Sequence, residues 1–216
     1  MKQGAIFDMD GLMFDTERLW QEGWRILAER YGYKPDDDFA RDISGTSGEI
    51  MEGVIHRYYP GLDPSMFIRE ERAYVKSRLE EGVPVKPGLY ELLEQLQQEG
   101  LKMAVASSSR MEMIMENLRR TGTADYFEAV VSGHQVRSAK PKPDVFVFAA
   151  GRIGLSPMDC YVLEDSFGGV RAGHASGAFT IMVPDQLQPT EEIRMLADYI
   201  CADLHEVAER IKQGDL

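Results

Sequence analysis

The sequence predicts an α/β fold, a parallel sheet with helices on both faces, interrupted near its start by a wholly helical insertion. Three observations carry this reading. A short apolar run, Gly4-Ala5-Ile6-Phe7, opens the chain as a buried strand. From residue 85 onward, short apolar runs alternate with amphipathic helical stretches. Between residues 16 and 84 that alternation is missing and only helical periodicity is found. Alternating strands and helices imply a parallel sheet, whose strands read as continuous apolar runs because both of their faces are covered. The expected division is a core of residues 1–15 and 85–216 and an all-helical cap of residues 16–84.

The first strand ends at Asp8-Met9-Asp10-Gly11. Thr16 is placed to cap a helix reaching about Tyr31, in which Leu19, Trp20, Trp24, Leu27 and Tyr31 share one face at helical spacing. Trp20 and Trp24 read as the core of the insertion rather than as a platform for substrate. Two more helices are expected near residues 47–58 and 64–81. Pro87 opens a helix with Leu89, Leu92, Leu93 and Leu96 along one stripe, stopped by Gly100. A strand follows at 102–106, and Ser109-Arg110-Met111-Glu112 has the pattern of a capping box for a helix striped by Met111, Ile114, Met115 and Leu118. Then come a strand at 129–132, a helix from Pro143 to about Ile153, a strand at 161–163, a helix at 168–176 and a strand at 180–183. In open parallel sheets ligands bind beyond the carboxyl ends of the strands.

The chain has 216 residues, of which 44% are hydrophobic, and a formal net charge of −12. That composition supports a packed core, and that charge repels nucleic acid and anionic membrane surfaces. It repels a phosphate ester as well, so an anion site here requires local cations or a metal. Cys160 and Cys201 make neither a metal-ligand spacing nor a disulfide framework and read as reduced, buried thiols. The apolar start is too short for a leader or a membrane span, so the cytoplasm is the expected compartment and a monomer the expected state.

Four polar clusters follow strand ends. In Asp8-Met9-Asp10, two carboxylates two residues apart face one side of a site, one suited to attack phosphorus and the other to move a proton; the same residues also suit an ordinary turn. Ser107-Ser108-Ser109 offers hydroxyls and main-chain N–H groups to phosphate oxygens at a helix start, or merely caps the helix, as Ser109 is placed to do; Ser107 lies nearer the strand end and is the better ligand. In Ala139-Lys140-Pro141-Lys142-Pro143, Lys140 is placed to neutralise phosphate and crowded carboxylates, with the prolines holding the backbone extended; a solvated basic loop is the alternative. Glu164-Asp165-Ser166 suits an oxygen-seeking cation such as Mg²⁺, or helix capping by Asp165 or Ser166.

Taken together, and in this order, the clusters resemble the four motifs of the haloacid dehalogenase superfamily, and FDMDGLMFDTE at residues 7–17 resembles the subgroup of β-phosphoglucomutase and the small phosphosugar phosphatases. The resemblance implies a Rossmann-like core with a helical cap inserted after the first motif, and a Mg²⁺-dependent transfer of phosphate from a small phosphorylated metabolite to Asp8. By that resemblance Asp8 is the nucleophile and Asp10 the general acid and base. Ser107, Ser108 and Lys140 hold the phosphate. Asp8, the Asp10 main-chain carbonyl and Asp165 bind the metal, with Glu164 supporting it directly or through water. Asp10 speaks against dehalogenation, because expulsion of halide needs no proton donor there. Where β-phosphoglucomutases carry a histidine and an arginine in the cap, this chain has Trp20 and Gly48, unless Arg18 or Arg41 serves instead. Without a cation for a second phosphate, hydrolysis of monophosphates is expected, with the mutase as alternative and a non-catalytic phosphate-binding protein as the more distant one. Asp15 and Thr16, with residues 82–85, are the expected hinges, closing the loop 43–49 over the phosphate.

Overall fold

Six short apolar runs form strands: β1 (Gly4–Phe7), β2 (Lys102–Ser107), β3 (Ala129–Ser132), β4 (Cys160–Glu164), β5 (Phe179–Met182) and β6 (Tyr199–Ile200). All neighbours pair in parallel, in the order β3-β2-β1-β4-β5-β6. This computed structural model describes residues 2–43, 46 and 48–216. Its backbone divides into two units, residues 1–15 with 85–216, and residues 16–84. Helices α1 (Glu17–Arg30), α2 (Asp37–Ile43), α3 (Gly48–Tyr58) and α4 (Pro64–Glu81) make up the second unit. Helices α5 (Leu89–Gln98), α6 (Met111–Arg120), α7 (Asp144–Arg152), α8 (Phe167–Ser176), α9 (Glu191–Leu196) and α10 (Leu204–Gln213) belong with the sheet.

The sheet is buried on both faces because its strands carry no polar stripe: every residue of β1 and β4 is buried. On one side α7 sets Val145, Phe146, Ala149 and Ala150, with Ile153 just past its end, against Ile6, Ala104, Val131 and Val162 of four adjacent strands. Gly4 to Phe7 pair with Lys102 to Val105 on one side and with Cys160 to Leu163 on the other. The strand order reverses between β1 and β4, and this is where parallel sheets of this order open a crevice at their carboxyl ends.

The helical unit has its own core of Trp24, Leu27, Ala28, Phe39, Ile43, Val54, Ile55, Tyr59 and Phe67. Trp24 stands edge-on to Phe39 at 5.9 Å and tilted against Phe67 at 5.3 Å, while Trp20 packs partly buried at the margin. Both tryptophans therefore serve the packing of this unit.

Several expectations need correction. Helix α2, and α9, β6 and α10 after the last expected strand, were not anticipated. Strand β6 has two residues, too few to show a pattern. In contrast, α10 shows a regular stripe of Leu204, Val207, Ala208 and Ile211 behind an Asp203 cap. Thr16 precedes α1, but its backbone is helical and its side chain makes no capping bond. Helix α6 starts one residue later than the capping box implies, with Arg110 at its N-cap and no side-chain cap. The lysine loop is not extended: Lys142 N donates to Ala139 O at 3.0 Å, closing a turn around a cis Lys140-Pro141 bond. Cys160 and Cys201 are free and buried. No helix among the described residues is long and apolar enough to cross a membrane.

Candidate active site

Asp8 emerges from β1 with its N–H donating to Leu163 O at 3.0 Å, so the first residue past the strand is still held by β4. The chain then turns sharply, as Met13 and Phe14 N–H groups both donate to Met9 O, at 2.9 and 3.1 Å. Gly11 sits in the turn at φ +88°, and a Cβ there would lie 2.2 Å from Asp165 Oδ2. Glycine is needed twice over, for the left-handed backbone and for the close approach of the β1 turn to the β4 turn.

Lys140 reaches into this junction. Its Nζ donates to Asp8 Oδ1 at 2.5 Å, Glu164 Oε1 at 2.6 Å and Ala106 O at 3.1 Å. Both Lys140 and Asp8 side chains are only 9% exposed. Glu164, the last residue of β4, is fully buried, and its Oε2 accepts from Asp165 N, Ser166 N and Ser166 Oγ at 3.0, 3.1 and 3.0 Å. Ser166 also caps α8 by accepting from Gly169 N at 3.0 Å. A Cβ on Gly169 would overlap the Glu164 carboxylate, so this glycine makes room for the buried acid.

Carboxylate oxygens of Asp8, Glu164 and Asp165 all lie within 4.8 Å of one another. Burial pushes Asp8 up to about 8; Lys140 opposes this, while Glu164 and Asp10 add to it. Asp165 is likewise held well above the usual carboxylate range, first by burial and then by Glu164, Asp8 and Asp185. Burial also disfavours the Lys140 ammonium, but Asp8 and Glu164 outweigh it and hold Lys140 above its ordinary value. One ammonium therefore faces more buried negative charge than it can neutralise. An all-oxygen set of this kind fits a hard divalent cation, which would let the acids ionise together.

On the other side of β1 stand the hydroxyls. Ser107, at the end of β2, is buried; its Oγ accepts from Ser109 N at 3.0 Å and lies 3.4 Å from Asp10 Oδ2. Ser109 Oγ donates to Asp10 Oδ2 at 2.7 Å. Ser108 is exposed. The structure thus joins Asp8, Lys140, Glu164 and Asp165 in one cluster and Asp10, Ser107 and Ser109 in an adjoining one, with Ser108 at the surface. Sequence reasoning missed three groups: Ser109 as a partner of Asp10, Ser132 behind it, and the half-buried ion pair of Lys86 with Asp185 at 2.7 Å. Ser107 and Ser132 are paired in the β2–β3 register, a signal visible only once the strands are aligned. Of the cap loop, Ser44, Gly45 and Ser47 lie outside the described residues.

Comparison with known proteins places these features in a family. The haloacid dehalogenase-like hydrolases match residues 5–183. A phosphorylated carbohydrates phosphatase of Thermotoga maritima is 33% identical over 183 residues, covering 81% of this chain and 82% of that one. The β-phosphoglucomutase of Bacillus subtilis is 31% identical over 223 residues and 97% of each chain. A crystal structure of β-phosphoglucomutase from Clostridium difficile superposes with a TM-score of 0.80 over 99% of this chain and 96% of that one; at 22% identity it shares the fold.

Proposed function

We propose that this chain, which belongs to the haloacid dehalogenase-like hydrolase family, is a Mg²⁺-dependent phosphatase of small phosphomonoesters, sugar phosphates foremost. The observation that carries this is the convergence of Asp8, Lys140, Glu164 and Asp165 at the β1–β4 switch point, an anionic nucleophile beside a fixed cation and an acidic cation site. In this reading Asp8 attacks phosphorus and becomes an aspartyl phosphate. Asp10 protonates the departing ester oxygen and then takes a proton from the attacking water. Lys140 and Ser107, with Ser108 at the loop surface, hold the phosphoryl oxygens. Mg²⁺, held by Asp8, Asp165 and the Asp10 main-chain carbonyl with Glu164 supporting it, would neutralise charge on the transferring group. Residues 16–84 act as a cap that excludes water and selects the leaving group, hinged at Asp15 and Thr16 and at residues 82–85.

The names of the relatives support a phosphosugar substrate, among them the hexitol phosphatase B of Escherichia coli, 30% identical over 95% of this chain. The mutase reading has its own support in the Bacillus subtilis relative. Against it stands Gly48, at the place where the resemblance puts the mutase's arginine for a second phosphate, unless Arg18 or Arg41 takes that task; Trp20 stands where the resemblance puts a histidine. A panel of hexose, pentose and nucleoside monophosphates, scored for released phosphate with and without Mg²⁺, tests the assignment. With β-glucose 1-phosphate primed by a bisphosphate, isomerisation far outpacing phosphate release would replace phosphatase by mutase and leave Asp8 as nucleophile.

A further inference from the structure

We propose that Ser109 is a positioning residue for Asp10, held in place by Ser107 and Ser132, so that three neighbouring strand ends fix the proton-transfer group in advance. This rests on the role of Asp10 proposed above. The main chain of Ser109 is held on both sides. Its N–H donates to Ser107 Oγ at 3.0 Å, and its C=O accepts from Ser132 Oγ at 2.6 Å. Ser132 is itself buried, and Gln135 Oε1 accepts from its N–H at 3.0 Å. With its backbone so held, Ser109 turns its hydroxyl to Asp10 Oδ2 at 2.7 Å, a well-formed O–H···O hydrogen bond. Ser107 reaches the same oxygen only at 3.4 Å.

The obvious competing role for Ser109 is helix capping, and the structure removes it: Arg110 occupies the N-cap of α6, with no side-chain cap. The hydroxyl is therefore free to serve Asp10, and two buried serines on β2 and β3 hold its backbone in place. A carboxylate that must reach the ester oxygen and later a water gains from such restraint, since small misplacements of a reacting group are costly in rate.

The test is a double-mutant cycle on the full chain with Mg²⁺ and the panel ester that the wild type hydrolyses fastest. Ser109→Ala should lower kcat by roughly 10- to 100-fold, part of the ~10²–10⁴-fold that general acid–base catalysis supplies. KM and the melting temperature should stay near wild type, and Ser109→Thr should restore most of kcat. In the Asp10→Asn background, where the group being positioned no longer transfers protons, Ser109→Ala should cost little more. Ser132→Ala should follow Ser109→Ala in direction. An undiminished loss in the Asp10→Asn background, or a change confined to KM, would overturn the proposal and hand Ser109 to substrate binding. If the wild type releases phosphate and Ser109→Ala turns over normally, positioning fails and the reaction stands. If the wild type hydrolyses no ester of the panel, the reaction itself fails.

Discussion

Glu71 on α4 is fully buried in the helical unit, and among the described residues neither of its carboxylate oxygens has a hydrogen-bond partner. Burial alone pushes it from an ordinary 4.5 up to about 9. Such an acid folds neutral and unfolds ionised. Because the folded value is raised, the stability linked to this group is fully present below pH 4.5 and is lost as pH rises towards 9. Each pH unit in that window costs about 1.4 kcal/mol, so about 4 kcal/mol is lost between pH 5 and pH 8. That is on the order of 10 °C in melting temperature for a chain of this size. Glu71→Met removes the ionisable group at similar length. Melting of wild type and variant across pH 5–9 should show the variant gaining steadily on the wild type as pH rises. Parallel curves would refute the reasoning, because they would mean that Glu71 has the same protonation in the folded and unfolded chain. The adjoining helix is shaped to this acid: a Cβ on Gly23 of α1 would lie 2.3 Å from Glu71 Oε1. Gly23→Ala should therefore destabilise, although alanine is the better helix former by about 1 kcal/mol, and the penalty should vanish in combination with Glu71→Ala.

The remaining expectations concern the site. Asp8→Asn should abolish turnover, as no neighbouring group replaces the covalent step, whereas Asp10→Asn should leave a residue about 10²–10⁴-fold below wild type; single-turnover phosphate release separates the two. Excess chelator should stop turnover reversibly, and Asp165→Ala should shift the Mg²⁺ activation curve to far higher concentration; activity indifferent to both would remove the metal from the mechanism. Lys140→Ala leaves a buried Glu164 without its ion-pair partner, a loss of about 3–5 kcal/mol for a broken buried pair, so urea unfolding should show lower stability together with lost activity.

Much of this was legible along the chain. Each strand from β1 to β5 is a short, mostly apolar and mostly buried run, and that pattern needs no partner to be read. The two ends of the insertion showed as a change of period. The polar clusters showed because Asp8, Ser107 and Glu164 each stand at or just past a strand end. The tail after β5 was less legible: α10 carries a regular apolar stripe, but β6 is so short that only its pairing with β5 defines it.

Order of elements along the chain and polar strand ends are local properties, set by side-chain periodicity and the short reach of the backbone, and so they can be read from residue types alone; the switch point, which depends on strand order, cannot. The partners of those polar groups are not local. Lys140 meets Asp8 across 132 residues and Ser109 meets Asp10 across 99. Such meetings depend on which strands become neighbours and in what register, and a one-residue slip would turn every side chain to the other face. Folding, not composition, turned Ser109 from an expected helix cap into the partner of Asp10, and left Glu71 buried against a glycine with no hydrogen-bond partner among the described residues.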